Sequence, residues 1–238
     1  MLALQGMDDG LGRISAGSYD LNKWLYGGYE RGIITAIYGA SGTGKTNFCL
    51  LAAVSQARKG NRVIYIDTEG GFSVERVKQL VPNEYEGVLE RIILLKPTTF
   101  SEQKESFKQL LKHIKDQVSL IVVDGMTMLY RLDFAAAREQ GTGALQDINA
   151  ELARQMRILA ELARKQDLPV IVTNQVYSWN GGDRMVAGDV MKYWSKCLIE
   201  LANENGRRAA YLVKHRSLPQ KKLEFVIVGD GVKKRGWL

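Results

Sequence analysis

The sequence predicts one α/β domain spanning residues 1–238, with a mainly parallel central sheet, helices on both faces and an antiparallel extension at its C-terminal side. Three observations predict it. Five short apolar runs, "IITAIYG", "RVIYIDT", "RIILLK", "SLIVVDG" and "LPVIVTNQ", alternate with helical patterns, as parallel strands with crossover helices require. A glycine-rich stretch, "GASGTGKT", separates the first run from the first long helical pattern. After Ser195 three β-rich runs follow in close succession, "KCLIELAN", "GRRAAYLVKH" and "KKLEFVIVGD", divided by Asn-Glu-Asn-Gly and Leu-Pro-Gln turns.

Taken in order, "GIITAIYG" is a short buried strand. "TNFCLLAAVSQARKG" then has apolar residues at helical spacing and stops at Gly60, so a helix is expected over Lys45–Arg58. Further helices are expected near Ser73–Leu80, over Thr99–Lys115 and around Gln146–Lys165. No internal repeat, low-complexity segment or dividing linker interrupts the chain. With 45% hydrophobic and 25% charged residues, the composition suits one large domain with its own core. No apolar run approaches the roughly 20 residues of a membrane span, and "MLALQGMDDG" lacks the basic and apolar regions of an export signal. Cys49 and Cys197 are isolated and read as small buried hydrophobes, so a cytoplasmic protein is expected.

The chemistry begins at Gly39-Ala40-Ser41-Gly42-Thr43-Gly44-Lys45-Thr46, with Asn47 beside it. This spacing, between a strand and a helix, is that of a phosphate-binding loop. Side chains must stay out of the way for backbone N–H groups to converge on a phosphate, and the helix N-terminus adds partial positive charge. Lys45 is placed for the β- and γ-phosphates of a nucleoside triphosphate, and the Thr46 hydroxyl for Mg²⁺. In such sheets ligands sit beyond the carboxyl ends of the strands. The fourth run delivers Asp124 there, where an acid orients Mg²⁺ through its water shell. The second delivers Asp67 and Glu69. Glu69, in a glycine-flanked turn, can orient or deprotonate water, while Asp67 caps or braces the turn. The fifth ends in Thr173-Asn174-Gln175. Gln175 either hydrogen-bonds the γ-phosphate and reports hydrolysis to the next loop, or is a buried amide satisfying loop backbone.

The net charge of +7 is uneven. Residues 207–238 carry nine Lys/Arg against Glu224 and Asp230, while the rest of the chain is neutral. A basic segment on a neutral body predicts either a polyanionic partner, most often nucleic acid, or a solvated face. Lys221, Lys222, Lys233, Lys234 and Arg235 are the candidate DNA contacts.

The order "GGYERGIITAIYGASGTGKT", "YIDTEGGFSVER", "LIVVDG", "LARQM" and "VTNQV" resembles the RecA-like ATPase core of archaeal and eukaryotic recombinases, and most closely the RadB family, short archaeal paralogues of the recombinase RadA. The resemblance covers nearly the whole chain. It implies an ATP- and DNA-binding protein that assists homologous recombination, with RadA and the Holliday-junction resolvase as partners. Carried over by position, it makes Glu69 the catalytic carboxylate, Gln175 the switch glutamine and Arg76 the arginine that packs on adenine. In "LVKHRSLPQ" it implies that Lys214 and Arg216 approach a neighbouring subunit's γ-phosphate, with Pro219 capping its base. Two residues apart, the two cations would share one strand face.

Departures from the recombinase pattern carry expectations too. The core begins near "GRISAGSYDLNKWLYGG", so no N-terminal helical DNA-binding domain or Phe-x-x-Ala docking segment is expected. Phe134-Ala135-Ala136-Ala137 fits those letters by coincidence. The second DNA-binding loop, "VYSWNGGDRMVAGDVMKYW", is shorter, and Tyr193 stands where the recombinases place a histidine. Tyr177, Trp179, Tyr193 and Trp194 with Arg184 and Lys192 favour single-stranded DNA, because bases stack on rings while cations meet phosphates. Trp179 and Arg184 are the stronger contact candidates, since Tyr193 and Trp194 also fit core packing. Three readings follow: a DNA-binding recombination accessory with weak ATPase activity, a full strand-exchange recombinase, and a phosphotransferase or clock-type regulatory ATPase acting on protein.

Overall fold

The computed structural model describes residues 12–114, 117–179 and 182–236, with residues 178–179 and 182–183 described by their backbone alone. Along the chain run β1 (Arg13–Ile14), α1 (Tyr19–Trp24), β2 (Tyr29–Glu30), β3 (Ile34–Gly39), α2 (Lys45–Arg58) and β4 (Arg62–Asp67). Then come α3 (Val74–Leu80), α4 (Tyr85–Glu90), β5 (Ile92–Leu95), α5 (Phe100–His113), β6 (Val118–Asp124), α6 (Met128–Gln140) and α7 (Thr142–Lys165). The last part holds β7 (Val170–Trp179), β8 (Gly182–Met185), α8 (Gly188–Trp194), β9 (Cys197–Glu204), β10 (Arg207–Lys214), β11 (Lys221–Val228) and β12 (Gly231–Lys234).

The main sheet has the order β12-β11-β10-β9-β3-β7-β6-β4-β5, with β8 paired to β7. Strands β9, β3, β7, β6, β4 and β5 are parallel, and β9 to β12 form an antiparallel meander, so the expected fold class is the observed one. Both faces of the parallel part are covered, which is why its strands are almost continuously apolar. Alternation sends Val63, Tyr65, Leu120 and Val122 to one core with α2, α3 and α4. Ile64, Ile66, Ile121 and Val123 go to the other, with α5, α6, α7 and α8. Leaving β3, the chain crosses two strands to β4, steps out to the edge strand β5, then returns through β6 to β7 beside β3. The crevice where the order reverses is the place such sheets bind ligands.

Local signals set several boundaries. Thr99 caps α5, its hydroxyl accepting from Glu102 N at 3.1 Å, while the Glu102 carboxylate accepts from Thr98 N at 2.7 Å. The Ser18 hydroxyl caps α1 and donates to the Val232 carbonyl at 2.6 Å, tying α1 to β12. An edge-to-face contact between Phe48 and Phe225, centroids 5.3 Å apart, locks α2 onto the meander. Helix α6 is an addition to the expected pattern, and Phe134–Ala137 lies within it. Helix α7 starts at Thr142, four residues before the expected start. No helix among the described residues is long and apolar enough to cross a membrane.

Candidate functional site

Parallel strands β3, β4, β6 and β7 reach the carboxyl edge of the sheet side by side. Gly39 of β3 lies in parallel register with Gln175 of β7 and Leu201 of β9, and Asp67 of β4 lies beside Asp124 of β6. A Cβ on Gly39 would sit 2.1 Å from the Leu201 carbonyl oxygen, so glycine alone lets the loop leave the sheet there. The loop closes on itself. The Thr43 hydroxyl donates to the Ala40 carbonyl at 2.8 Å, and Lys45 Nζ donates to the Gly39 and Ala40 carbonyls, both at 2.9 Å. Ala40, Ser41 and Gly42 are exposed, while Lys45 is only 6% exposed. Burial pushes the Lys45 pKa down, and the Glu69 and Asp124 carboxylates oppose that shift.

Asp124, 1% exposed, is held by hydroxyls on three elements. Tyr65 donates to Oδ2 at 2.9 Å, Thr173 donates to Oδ1 at 2.7 Å, and Thr46 hydrogen-bonds the same carboxyl. Burial raises its pKa above the ordinary aspartate value, and those bonds pull against the rise. Gly71 leaves open the space beside this group, because a Cβ there would lie 3.2 Å from Thr46 Oγ1 and 3.8 Å from Asp124 Oδ2.

Glu69 follows β4 on the solvent side of the same edge. Its Oε1 accepts from Gln175 Nε2 at 3.1 Å, joining the ends of β4 and β7. Desolvation by the surrounding wall and then the Asp124 charge raise its pKa, while Lys45 and Gln175 lower it. Its approach needs Gly125, where a Cβ would meet Thr68 Oγ1 at 2.3 Å and Glu69 Cγ at 2.7 Å. Asp67 braces the turn as expected, accepting from Gly71 N at 3.1 Å and Phe72 N at 3.0 Å.

Arg76 on α3 bridges the loop helix and the meander. Its Nε donates to Asn47 Oδ1 at 2.9 Å, and its terminal nitrogens donate to the Val228, Gly229 and Gly231 carbonyls and to Gln79. The guanidinium thus clasps the β11–β12 turn, a role the sequence did not suggest.

Several expected residues lie away from this edge or are already engaged. β10 ends at Lys214, so Lys214 and Arg216 do not share a strand face. Lys214 Nζ donates to the Lys192 and Ser195 carbonyls at 3.1 and 3.0 Å, closing the C-terminus of α8. Arg216 Nε donates to Glu30 Oε1 at 2.6 Å, and His215 Nε2 lies 3.3 Å from Glu30 Oε2. Pro219 is exposed in the segment that follows. The stretch expected to act as a second DNA-binding loop carries an antiparallel strand pair, β7 with β8, that sets Tyr177 opposite Arg184. The Trp179 side chain lies outside the described residues. Lys192 and Tyr193 are exposed on α8, Tyr193 at 72%.

Three of the five C-terminal cations expected to meet DNA are engaged within the chain through their side chains. Lys222 meets Glu204 at 3.0 Å and Glu224 at 3.1 Å, and Lys233 meets Asp230 at 2.8 Å. Lys221 lies over the Tyr26 ring, 3.9 Å from its centroid. The backbone N–H groups of Lys234 and Arg235 bond Asp20 and the Glu224 carbonyl. Sequence reasoning missed Tyr65 and Thr173 as anchors of Asp124. The signal was a hydroxyl interrupting an otherwise aliphatic run on the strands flanking β6.

A Rad51 family model matches residues 9–235, which takes in every element from β1 to β12 and defines the class as a RecA-like Rad51 fold. The chain is 41% identical over 212 residues to the DNA repair and recombination protein RadB of Methanocaldococcus jannaschii, covering 89% of this chain and 98% of that one. It is 39% identical to the RadB of Methanoculleus marisnigri (93% and 97% covered) and 38% identical to that of Methanobrevibacter smithii (89% and 92% covered). The chain belongs to the RadB family within that class.

Proposed function

We propose that this protein binds ATP with Mg²⁺, hydrolyses it slowly, binds DNA with single strands favoured, and assists homologous recombination and repair. The observation that carries the reading is the buried Asp124 carboxyl bonded to Thr46 beside the Lys45 ammonium, at the mouth of a glycine loop. The donor set fits. A carboxylate and a hydroxyl are hard oxygen ligands suited to Mg²⁺, and the space kept open by Gly71 would be filled by any Cβ. Mg²⁺ there would neutralise phosphate charge; the chain's own residues do the rest.

Lys45 exchanges its two loop carbonyls for phosphate oxygens, and the N–H groups at the start of α2 face the same anion. Glu69 takes the proton of the attacking water, and desolvation, which raises its pKa above the ordinary glutamate value, favours that role. Gln175 holds Glu69 until a γ-phosphate competes for its amide. The hydrogen bonds of Arg76 use the edges of its guanidinium, so a purine would stack on a face. The hairpin β7–β8 and α8 offer Tyr177, Arg184, Lys192 and Tyr193 to a DNA strand.

The engagement of Lys214 and Arg216 within their own subunit favours the accessory reading over an efficient filament-forming recombinase, because their trans role requires both to let go. RadA and the Holliday-junction resolvase are the partners proposed, and the relatives' role in recombination and repair supports them. The test is ATP turnover and DNA binding measured together, with and without single-stranded DNA, over a salt series. Slow turnover with salt-sensitive DNA binding is expected. Absence of DNA binding at low salt would contradict the reading, and fast DNA-stimulated turnover would shift it to the recombinase.

A further inference from the structure

Gln175 has a role in the scheme above, but its neighbour Asn174 has none. Asn174 is completely buried, and its amide is bonded at both ends. Oδ1 accepts from the Thr127 hydroxyl in a short contact, and Nδ2 donates to the Val186 carbonyl at 2.7 Å. The orientation is fixed chemically, because a carbonyl can only accept and the NH₂ group must therefore face Val186.

On one side, Thr127 closes the corner that begins at Asp124. The parallel pairing of β6 with β7 runs to Val123 and Val172. Beyond it the contact is continued by Gly125 N donating to Thr173 Oγ1 at 2.7 Å, Met126 N donating to the Thr173 carbonyl at 3.0 Å, and then Thr127 donating to Asn174. On the other side, Val186 follows the returning strand of the β7–β8 hairpin. Its N–H donates to the Gln175 carbonyl at 3.1 Å while its own carbonyl accepts from Asn174. The next residue, Ala187, takes a positive φ of 47° and opens α8. Residues 174 and 175 thus grip both polar groups of the residue that joins the hairpin to α8.

We propose that Asn174 is a positioning residue that couples the Asp124 corner to the β7–β8 hairpin and α8, so that the state of the phosphate end reaches the DNA-facing elements through a buried amide. The inference rests on the proposed reading of these two regions. Its physical basis is the cost of orphaning a buried amide, which makes the corner and Val186 move together. The Gln175–Glu69 contact lacks that constraint, because Glu69 is exposed and water can replace it. Chains of hydrogen bonds can carry coupling between sites, and Asn174 completes one between these two regions.

The experiment compares Thr127→Val, Thr127→Ser and Asn174→Ala with the wild-type chain. Affinity for a labelled oligo-dT strand is measured without nucleotide and with Mg²⁺ and the slowly hydrolysed analogue ATPγS. In the wild type the two affinities should differ. In Thr127→Val and Asn174→Ala, nucleotide-free DNA affinity and ATPγS affinity should stay within about twofold of wild type while the ratio of the two DNA affinities falls to about one. Thr127→Ser, which keeps the hydroxyl, should restore the ratio. Should Asn174→Ala fail to fold, Thr127→Val decides, since it removes one hydroxyl and keeps the shape. A ratio unchanged in Thr127→Val overturns the inference, as does an equal loss of DNA affinity in both states, which a merely structural role would give. A wild type whose DNA affinity ignores nucleotide sinks the underlying reading and this inference with it.

Discussion

The two ends of the chain's chemistry behave differently. At the carboxyl edge of the parallel strands, Lys45, Thr46, Glu69, Asp124 and Gln175 come from four neighbouring strands or the segments that follow them and meet in one crevice. In the antiparallel meander, a segment with a formal charge of +7 directs much of that charge at its own acids, rings and carbonyls. A motif at a strand end specifies where its side chain points, because the sheet supplies the geometry. Net charge specifies nothing about geometry, and a cation pairs with whatever acid the fold places beside it.

The largest effect should come from Lys45→Ala. Losing charge-assisted contacts to phosphate should cost about 3 kcal/mol, roughly 100-fold in ATP affinity. The melting temperature without nucleotide should not fall, since burial already disfavours the ammonium. Calorimetric titration with scanning calorimetry checks both, and an unchanged ATP affinity would remove Lys45 from the site.

Arg76→Ala should join the two regions' fates. Its bonds to the β11–β12 turn are multiple and charge-assisted, so a stability loss of about 2 kcal/mol is expected by denaturant unfolding. Greater hydrogen exchange at residues 228–231 should accompany it. If those amides stay as protected as before, the clasp is not what holds the turn.

A smaller effect concerns pH. The folded pKa of Asp124 is raised, so the proton it retains stabilises the fold at low pH, and that contribution is lost as pH rises through the raised value. An amide has no such proton to lose. Without Mg²⁺, the stability of Asp124→Asn relative to wild type should therefore increase as pH rises above the ordinary aspartate range. A pH-independent difference in melting temperature would show that desolvation of this carboxyl is not the cause.

Much of the crevice was legible because each residue sits at or just beyond the carboxyl edge of the parallel strands. "IYGASGTGKT", "YIDTEG", "LIVVDG" and "VTNQ" each carry an apolar run into a polar residue, and the alternation of strands and helices places those ends together. The rest depended on contacts between distant residues. Glu30 and Arg216 are 186 positions apart, and Arg76 meets carbonyls more than 150 positions on, with no local pattern announcing either. Helix α6 stayed hidden because no side-chain cap marks its start and a single residue, Gly141, separates it from α7. The stretch expected as a second DNA-binding loop instead holds paired strands, residues 176–179 against 182–185.

The smallest effect sharpens the contrast directly. Replacing Lys222 and Lys233 by Gln should change the log–log salt slope of single-stranded DNA binding by less than the roughly 0.7 per cation that a full phosphate contact gives. Both already have acidic partners. Lys192→Gln, on the exposed face of α8, should change it by more. The reverse ranking would return the DNA surface to the meander.

The central claim is that the crevice is an ATP-hydrolysing site with Glu69 as its base. It is tested most directly by Glu69→Gln, assayed for ATP affinity and single-turnover hydrolysis at one pH. The amide keeps the shape and can still bond Gln175, but it cannot take a proton. ATP affinity within about twofold of wild type with hydrolysis lowered about 100-fold or more is the predicted result. Hydrolysis at the wild-type rate would contradict it.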